Sequence, residues 1–283
     1  MIEGTIVDAH VHVWDTARLK YAWLADIPLL NKPYLPADYR RDCGPVRVEK
    51  IVFVQAEADY SQFLEEATWV SSLYREDRRI QGIVAWAPLE RGEAARSAVE
   101  QLAAIPRVKG IRRILQSDAL QFCLRPDFIS GVRLLADYDL SFDLTVNRFQ
   151  LGNAIQLVRQ CPNVRFILDH IGNPDIAHHQ FEPWRSQLRT LSGLPNVWCK
   201  MSGLVSVADR EHWTREDLRP YIDHVLDCFG FDRVLFGSDY PVCLLGSSIP
   251  RWVETVEWAV SGCSSVERRK LFHDNAIAFY RLF

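Results

Sequence analysis

Cys161-Pro162-Asn163-Val164 and Leu194-Pro195-Asn196-Val197 decide how this chain is read. At each, an amphipathic helical stretch ends, a turn follows, and a β-branched run begins. Proline cannot continue a helix interior and asparagine suits a turn. Finding this junction twice argues for stacked βα units. Working outward, apolar β-branched runs recur at 6–12, 50–57, 80–89, 108–115, 140–146, 164–172, 197–203 and 234–241, eight in all. Between them lie stretches of helical spacing at 62–76, 126–138, 151–161 and 219–229. Pro126 suits a first helical position. A last helix is expected over 265–282, with Ser265 as its cap. Strands alternating with helices imply a parallel sheet, and eight is the number that closes a barrel. A doubly wound open sheet is the alternative, but no Gly-rich phosphate loop follows the first strand. The expectation is a single (β/α)8 barrel domain over residues 1–283. The segment 15–48 is longer than an ordinary βα loop. It reads as an ordered insertion over the barrel mouth, and 173–180 as a second long loop.

The composition bounds the function classes. Of 283 residues, 48% are hydrophobic and 24% charged, an ordinary globular balance. A formal net charge of -3 gives no electrostatic case for nucleic acid or an anionic membrane. No apolar run approaches a membrane span. The chain enters its first strand without a signal-peptide pattern. Its 7 cysteines are odd in number and scattered, with no CxxC, and read as reduced thiols in a cytoplasmic protein. Most of the 9 tryptophans are expected to pack in the core, with one or two free to stack on a ring-shaped ligand.

Chemistry concentrates at the strand ends. In Ile6-Val7-Asp8-Ala9-His10-Val11-His12, residues two apart share a strand face, so both imidazoles point one way. Such a pair is half of a metal site or a polar catalytic cluster. The later strands end in Gln55 and Glu57, Trp86, Arg112 and Arg113, Asp143, Thr145 and Asn147, Asp169 and His170, Lys200 and Ser202, and Ser238 and Asp239. Active sites of such barrels sit at this end, and buried charge is costly unless paired or functional. Each residue also has a structural reading. His170 can be a core histidine, Asp239 a turn cap, Lys200 a paired lysine, and Glu57 the ion-pair partner of Arg112. Arg113 is expected to face the helix layer, and His178, His179, His212, His224 and His273 to be surface or helix-packing residues.

Taken together, Asp8-Ala9-His10-Val11-His12, Asp169-His170 and Gly237-Ser238-Asp239-Tyr240-Pro241 resemble the amidohydrolase superfamily. Trp14, Tyr21-Ala22-Trp23-Leu24, Gln55-Ala56-Glu57, Gly110-Ile111-Arg112, Asp169-His170-Ile171-Gly172 and Lys200-Met201-Ser202-Gly203 extend the resemblance, essentially end to end, to sugar lactonases of the L-fuconolactonase and L-rhamnonolactonase type. The resemblance implies a (β/α)8 fold and hydrolysis at a carbonyl. It places metal ligation, or its polar equivalent, on His10, His12, His170 and Asp239, and the general base on Asp239. Binuclear relatives supply a carboxylated lysine from strand four, where this chain has Arg112, and strand five ends in Asn147 rather than histidine. A bridged two-metal centre is therefore not expected. A single zinc on His10, His12 and Asp239, with His170 as fourth ligand or behind them, is the metal expectation, and metal-free catalysis is the alternative.

The substrate expected from these residues is a small sugar lactone. Glu57, Arg112, Asn147 and Lys200 are positioned to bond its hydroxyls, while Trp23 or Trp86 packs on the ring. A lactone bearing carboxylates, such as a pyrone dicarboxylate, ranks second because it would want several arginines, of which Arg112 and Arg148 are the candidates. A decarboxylase ranks third, and a non-catalytic ligand-binding barrel last. Oligomeric state is not legible.

Overall fold

The computed structural model describes residues 4–283. Eight strands form one sheet in sequence order: β1 Ile6–Val11, β2 Val48–Val54, β3 Ile80–Ala85, β4 Val108–Arg112, β5 Ser141–Leu144, β6 Phe166–Leu168, β7 Val197–Met201 and β8 Val234–Phe236. Every neighbouring pair is parallel. Helices such as Phe63–Leu73, Leu151–Gln160 and Arg215–Phe229 connect them on the outside, giving a single-domain (β/α)8 barrel. The barrel closes at its mouth. Asp239 N–H donates to His10 O at 2.9 Å and His12 N–H to Tyr240 O at 2.7 Å. The seam joining the last strand to the first is thus made by the segments that carry the expected site.

The inside of the barrel has two storeys. Val7, Ala9, Val52, Val54, Val84, Ile167 and Leu235 pack together in the lower one. Ala276, Phe279, Tyr280 and Leu282, from the last helix and the residues after it, pack onto them and floor the barrel. Ile6 and Val11 belong instead to the larger core shared with the helices. Val7 and Ala9 therefore point inward and Val11 outward, so strict alternation breaks between Ala9 and Val11. The pairing shows why: Asp8 pairs with Ile51 and Val11 with Phe53, so β1 carries one residue more than β2 over this stretch. Such a bulge re-aims the side chains that follow it. It leaves Asp8 facing out of the barrel and turns His10 and His12 in.

Two expectations about helices change in detail. The stretch 265–282 is not one helix but Ser265–Arg269, a wider turn Lys270–Asp274 and Asn275–Tyr280. Its cap is Ser264, not Ser265: Ser264 Oγ accepts from Glu267 N–H while the Glu267 carboxylate takes the Ser264 N–H. The insertion after β1 is ordered as expected, with a 3-10 turn Ala22–Asp26 and a helix Pro36–Asp42. Trp14 ties it down by donating from Nε1 to Lys32 O at 2.8 Å.

The helix Pro126–Leu134 runs so close to the preceding 3-10 segment Leu89–Ala95 that a methyl group at Gly131 would collide with the Leu89 carbonyl. Gly131→Ala is expected to lower the unfolding free energy by about 1–3 kcal/mol, the scale of overpacking. Denaturant titration of both proteins measures it, and equal or greater stability in the variant would refute the close approach.

Candidate active site at the barrel mouth

Three imidazoles converge on one carboxylate oxygen. Asp239 Oδ1 lies 3.4 Å from His12 Nε2, 3.7 Å from His10 Nε2 and 4.0 Å from His170 Nε2. His10 and His12 come from β1 and its end, with ring centroids 4.9 Å apart. His170 follows β6, and Asp239 follows β8. His170 and Asp239 both adopt left-handed backbone, with φ of 52° and 60°. That region is costly for residues other than glycine and clusters at functional sites. Gly203, at φ 74°, has no alternative: a Cβ there would sit 2.5 Å from His170 Nδ1.

What surrounds each imidazole decides which nitrogen is bare. His12 Nδ1 lies 2.7 Å from Val54 O. A carbonyl only accepts, so Nδ1 carries the proton and Nε2 presents a lone pair to Asp239. His170 Nδ1 is hydrogen-bonded to Ser202 Oγ at 3.0 Å. Burial holds the basicity of His10, His12 and His170 below the ordinary histidine value, for His10 far below. Neutral imidazoles with lone pairs facing a carboxylate are two acceptors without a donor between them. A cation or a proton resolves that conflict. Ligand atoms about 2.0–2.2 Å from a tetrahedral zinc lie roughly 3.3–3.5 Å apart, close to the separations from Asp239. His10, His170 and Asp239 offer ligand atoms all within 4.8 Å of one another. His12, expected among the ligands, lies outside that group, although its Nε2 is 3.4 Å from Asp239 Oδ1. The donor set therefore fits a single zinc. Arg112 contacts the same His10 Nε2 from NH1 at 3.3 Å, so it and a metal would draw on one lone pair.

Asp8 has a different task. Its Oδ1 accepts from Ser238 N–H at 2.8 Å and His10 N–H at 3.2 Å, and its Oδ2 from Tyr39 O–H at 2.8 Å. It clips β1, the β8 loop and the insertion helix together from outside the barrel. Burial pushes its carboxyl up to about 6 against those hydrogen bonds.

Above the imidazoles opens a cavity of about 250 Å³. Of the expected residues, His12, Trp23, Glu57, Arg112, His170 and Asp239 line it. His10 lies fully buried beneath. Three expected substrate contacts do not reach it. Trp86 is buried and stacks on Tyr60, centroids 4.6 Å apart. Asn147 turns to the neighbouring loop, donating to Gln116 O at 2.8 Å. Lys200 is entirely buried one layer down, 2.6 Å from Asp143 Oδ2 and 2.9 Å from Asp169 Oδ1. The cavity also takes in Gln116, Asn173, Ser206 and Arg210, which no strand pattern marked. Gln116, Asn173 and Arg210 sit on loops and Ser206 in the one-turn helix Leu204–Val207, after β4, β6 and β7, too short or irregular for strand or helix periodicity to mark. Arg113 faces outward as expected, pairing with Asp118 at 3.0 Å.

The chain shares a family model for amidohydrolases over residues 7–282. It belongs to the amidohydrolase family. This amidohydrolase is 32% identical to an L-fucono-1,5-lactonase of Burkholderia multivorans, over 98% of this chain and 96% of that one. It is 22% identical to an L-rhamnono-gamma-lactonase of Scheffersomyces stipitis, over 100% of both chains. Among solved structures it is similar to a zinc-bound amidohydrolase of Burkholderia multivorans, with a TM-score of 0.87, 31% identity and coverage of 99% and 100%. Among the described residues of the amidohydrolase no helix is long and apolar enough to cross a membrane.

The turn 55–57, which carries Glu57 into the cavity, is pinned from three sides. Trp23 Nε1–H donates to Ala56 O at 2.8 Å, Gln55 Oε1 accepts from Glu57 N–H at 2.6 Å, and the buried Glu66 Oε1 accepts from Ala56 N–H at 3.2 Å. Burial pushes the Glu66 carboxyl from 4.5 up to about 7. The folded state therefore holds a proton that the unfolded chain has already lost between those values. The stability this contributes is complete below about 4.5 and is lost as pH rises through 7. Glu66→Gln keeps the acceptor and removes the titration. The unfolding free energy of the wild type minus that of the variant is expected to fall by roughly 3 kcal/mol between pH 4.5 and 8, at about 1.4 kcal/mol per unit. A flat difference across that range would place Glu66 in an ordinary, solvated setting.

Proposed function

We propose that this amidohydrolase opens a neutral sugar lactone, of the L-fuconolactone kind, to the sugar acid by attack of water, with Asp239 as general base. The observation that carries the reading is the convergence of three imidazole Nε2 atoms on Asp239 Oδ1 at the floor of a cavity of about 250 Å³. Relatives named as lactonases, aligned over nearly the whole chain, support a lactone hydrolase. That volume suits a single ring rather than an oligosaccharide.

The residues divide the work as follows. Asp239 takes a proton from the water as it attacks the lactone carbonyl. Arg112 is fixed by NH2 on Gln55 O at 2.5 Å and presents NH1 to the same region, so it stabilises the developing oxyanion. The ring oxygen leaves as an alkoxide still tethered to the product, and Asp239 returns the proton to it. A zinc, held by His10, His12, His170 and Asp239, would polarise the carbonyl or lower the pKa of the water. The Glu57 carboxylate has no hydrogen-bond or ion-pair partner among the described residues, and burial raises it despite the nearby Arg112 and Arg113. It is free to bond a sugar hydroxyl. Trp23, its Nε1 already tied to Ala56 O, packs its ring against the lactone. Trp86, Asn147 and Lys200 take no part in binding.

Cation placement argues against a dicarboxylated ring. Arg112 has NH2 on Gln55 O and its NH1 serves the lactone carbonyl, which leaves it nothing for a ring carboxylate, and Arg148 pairs with Asp175 at 2.8 Å. Arg210 is the cavity arginine without a carboxylate partner among the described residues. The seven thiols are all unpaired, in keeping with a reducing cytoplasm.

Asp239→Asn preserves shape and cannot accept the proton. Turnover is expected to fall roughly 10²–10⁴-fold, the scale of general-base loss, with the fold intact. Near-normal turnover would remove Asp239 from the reaction. Substrate class is read from kcat/KM across aldonolactones and aromatic-acid lactones, followed by a pH indicator with and without chelator. Lactones deoxy or epimeric at the hydroxyl that Glu57 bonds are expected to react about ten-fold or more slowly, since a buried acceptor is left unpaired. Faster turnover of a pyrone dicarboxylate than of any sugar lactone would replace the neutral-sugar reading.

A further inference from the structure

We infer that Lys200 and Asp143, which touch neither cavity nor substrate, are positioning residues that keep the proton of His10 on Nδ1 and its Nε2 lone pair toward the mouth. The inference rests on the proposed site but not on which lactone it takes. His10 is a neutral imidazole lying between two cations and two carboxylates. On the Nε2 side are Arg112 NH1 at 3.3 Å and Asp239 Oδ1 at 3.7 Å. On the Nδ1 side are Lys200 Nζ at 3.3 Å and Asp169 Oδ1 at 3.4 Å. A neutral ring has one N–H and one lone pair. It cannot accept from both cations, so one of them must turn its hydrogens elsewhere.

The two cations differ in what they can do. Arg112 holds its hydrogens in a rigid planar fork and never gives one up. Its NH2 is tied to Gln55 O at 2.5 Å, which fixes where NH1 points. Lys200 is a rotor, and two carboxylate oxygens, at 2.6 and 2.9 Å, lie closer to it than the imidazole does. Lys200 therefore gives way, and Nδ1 carries the proton. The carboxylate oxygen on that side is Asp169 Oδ1, 3.4 Å from Nδ1 and ion-paired with Lys200; it meets no donor in hydrogen-bond geometry, His10 included, so the Nδ1 proton would turn toward it as Lys200 gives way. Asp169 Oδ2 is already occupied by Thr145 O–H at 2.7 Å.

Asp143 completes the device. It holds Lys200 from below and is itself held by Tyr280 O–H at 2.7 Å, from the helix that floors the barrel. Tyr280, Asp143, Lys200, Asp169 and His10 thus form one buried chain from the floor to the mouth. Lys200 acts through Asp169 rather than on substrate.

The test uses the full chain, stripped of metal with chelator and labelled with ¹⁵N-histidine. Imidazole ¹⁵N shifts separate a protonated nitrogen from a bare one, and the His10 signals are identified by their loss in His10→Asn. The wild type is expected to carry its His10 proton on Nδ1. A proton on Nε2 would overturn the inference without any variant. The second arm is the double variant Asp143→Asn with Lys200→Met. It removes one charge of each sign and leaves Tyr280 an acceptor. Its His10 is expected to populate both tautomers, and kcat to fall roughly 10–100-fold with KM changed less than about threefold, as for loss of a group that orients a functional imidazole. A folded double variant with the wild-type tautomer and turnover within about twofold would also overturn the inference. Absence of lactone turnover in the wild type would sink the proposed function instead, while the ¹⁵N signals still decide this one.

Discussion

Lys200 has no exposed surface, yet its ammonium lies between Asp143 and Asp169 at 2.6 and 2.9 Å, in the middle of the barrel. Taking such groups out of water costs several kcal/mol per ion, and attraction offsets it only where partners and hydrogen bonds are complete. Here they are nearly complete. Thr145 and Tyr280 supply hydroxyls to the two carboxylates, and Arg112 lies 3.6 Å from Asp169. Buried Lys200 and Arg112 balance buried Asp143 and Asp169, so the layer is close to neutral overall. Its worth lies in direction rather than stability. Against the cost of burial, the pull of Lys200 holds the Asp169 carboxyl far below the ordinary range, as a fixed anion under the imidazoles. The apolar storey beneath, from Val7 to Leu235 and the flooring helix, keeps water from reaching this layer from below.

Above that layer, geometry is set by places where regular structure breaks. The bulge in β1 inverts the facing of the chain between Ala9 and Val11. Without it, Asp8, His10 and His12 would share one face. With it, Asp8 becomes an external clip and the two histidines enter the mouth. Left-handed backbone at Glu57, His170 and Asp239 then bends each strand end inward. The hydrogen bonds of Asp239 N–H and His12 N–H across the β8–β1 seam hold these bends in register. The same backbone bonds thus close the barrel and set Asp239 against the imidazoles.

This explains what was legible beforehand and what was not. Period-two runs and the paired proline–asparagine turns report backbone state, and all eight strands lie where those runs stand. Their far ends were overestimated: the run 164–172 supplies only Phe166–Leu168 as strand. Asp169, His170 and Ile171 continue the β-like composition, yet His170 and Ile171 take φ of 52°, which composition does not encode. Depth along the barrel axis is equally silent. Lys200 and Arg112 look alike as basic residues near strand ends, but Arg112 ends β4 and reaches the cavity, while Lys200 stops one layer below. Arg210 and Asn173 were invisible because loop residues carry no period.

The charge arrangement gives the site its chemical bias. With the lower quartet balanced, Asp239 is the carboxylate that faces the imidazoles without a lysine or arginine partner of its own. Three neutral imidazoles face it and none donates a firm hydrogen bond to it, the nearest being His12 Nε2, whose other nitrogen is committed to Val54 O. A lone carboxylate under lone pairs is a strong attractor for whatever positive charge can reach it. In the proposed function a zinc would satisfy it as a ligand set, and a water proton would satisfy it as a base. In the proposed function both roles draw on one feature, imidazole nitrogens that face Asp239, the other nitrogen of His12 being committed to Val54 O.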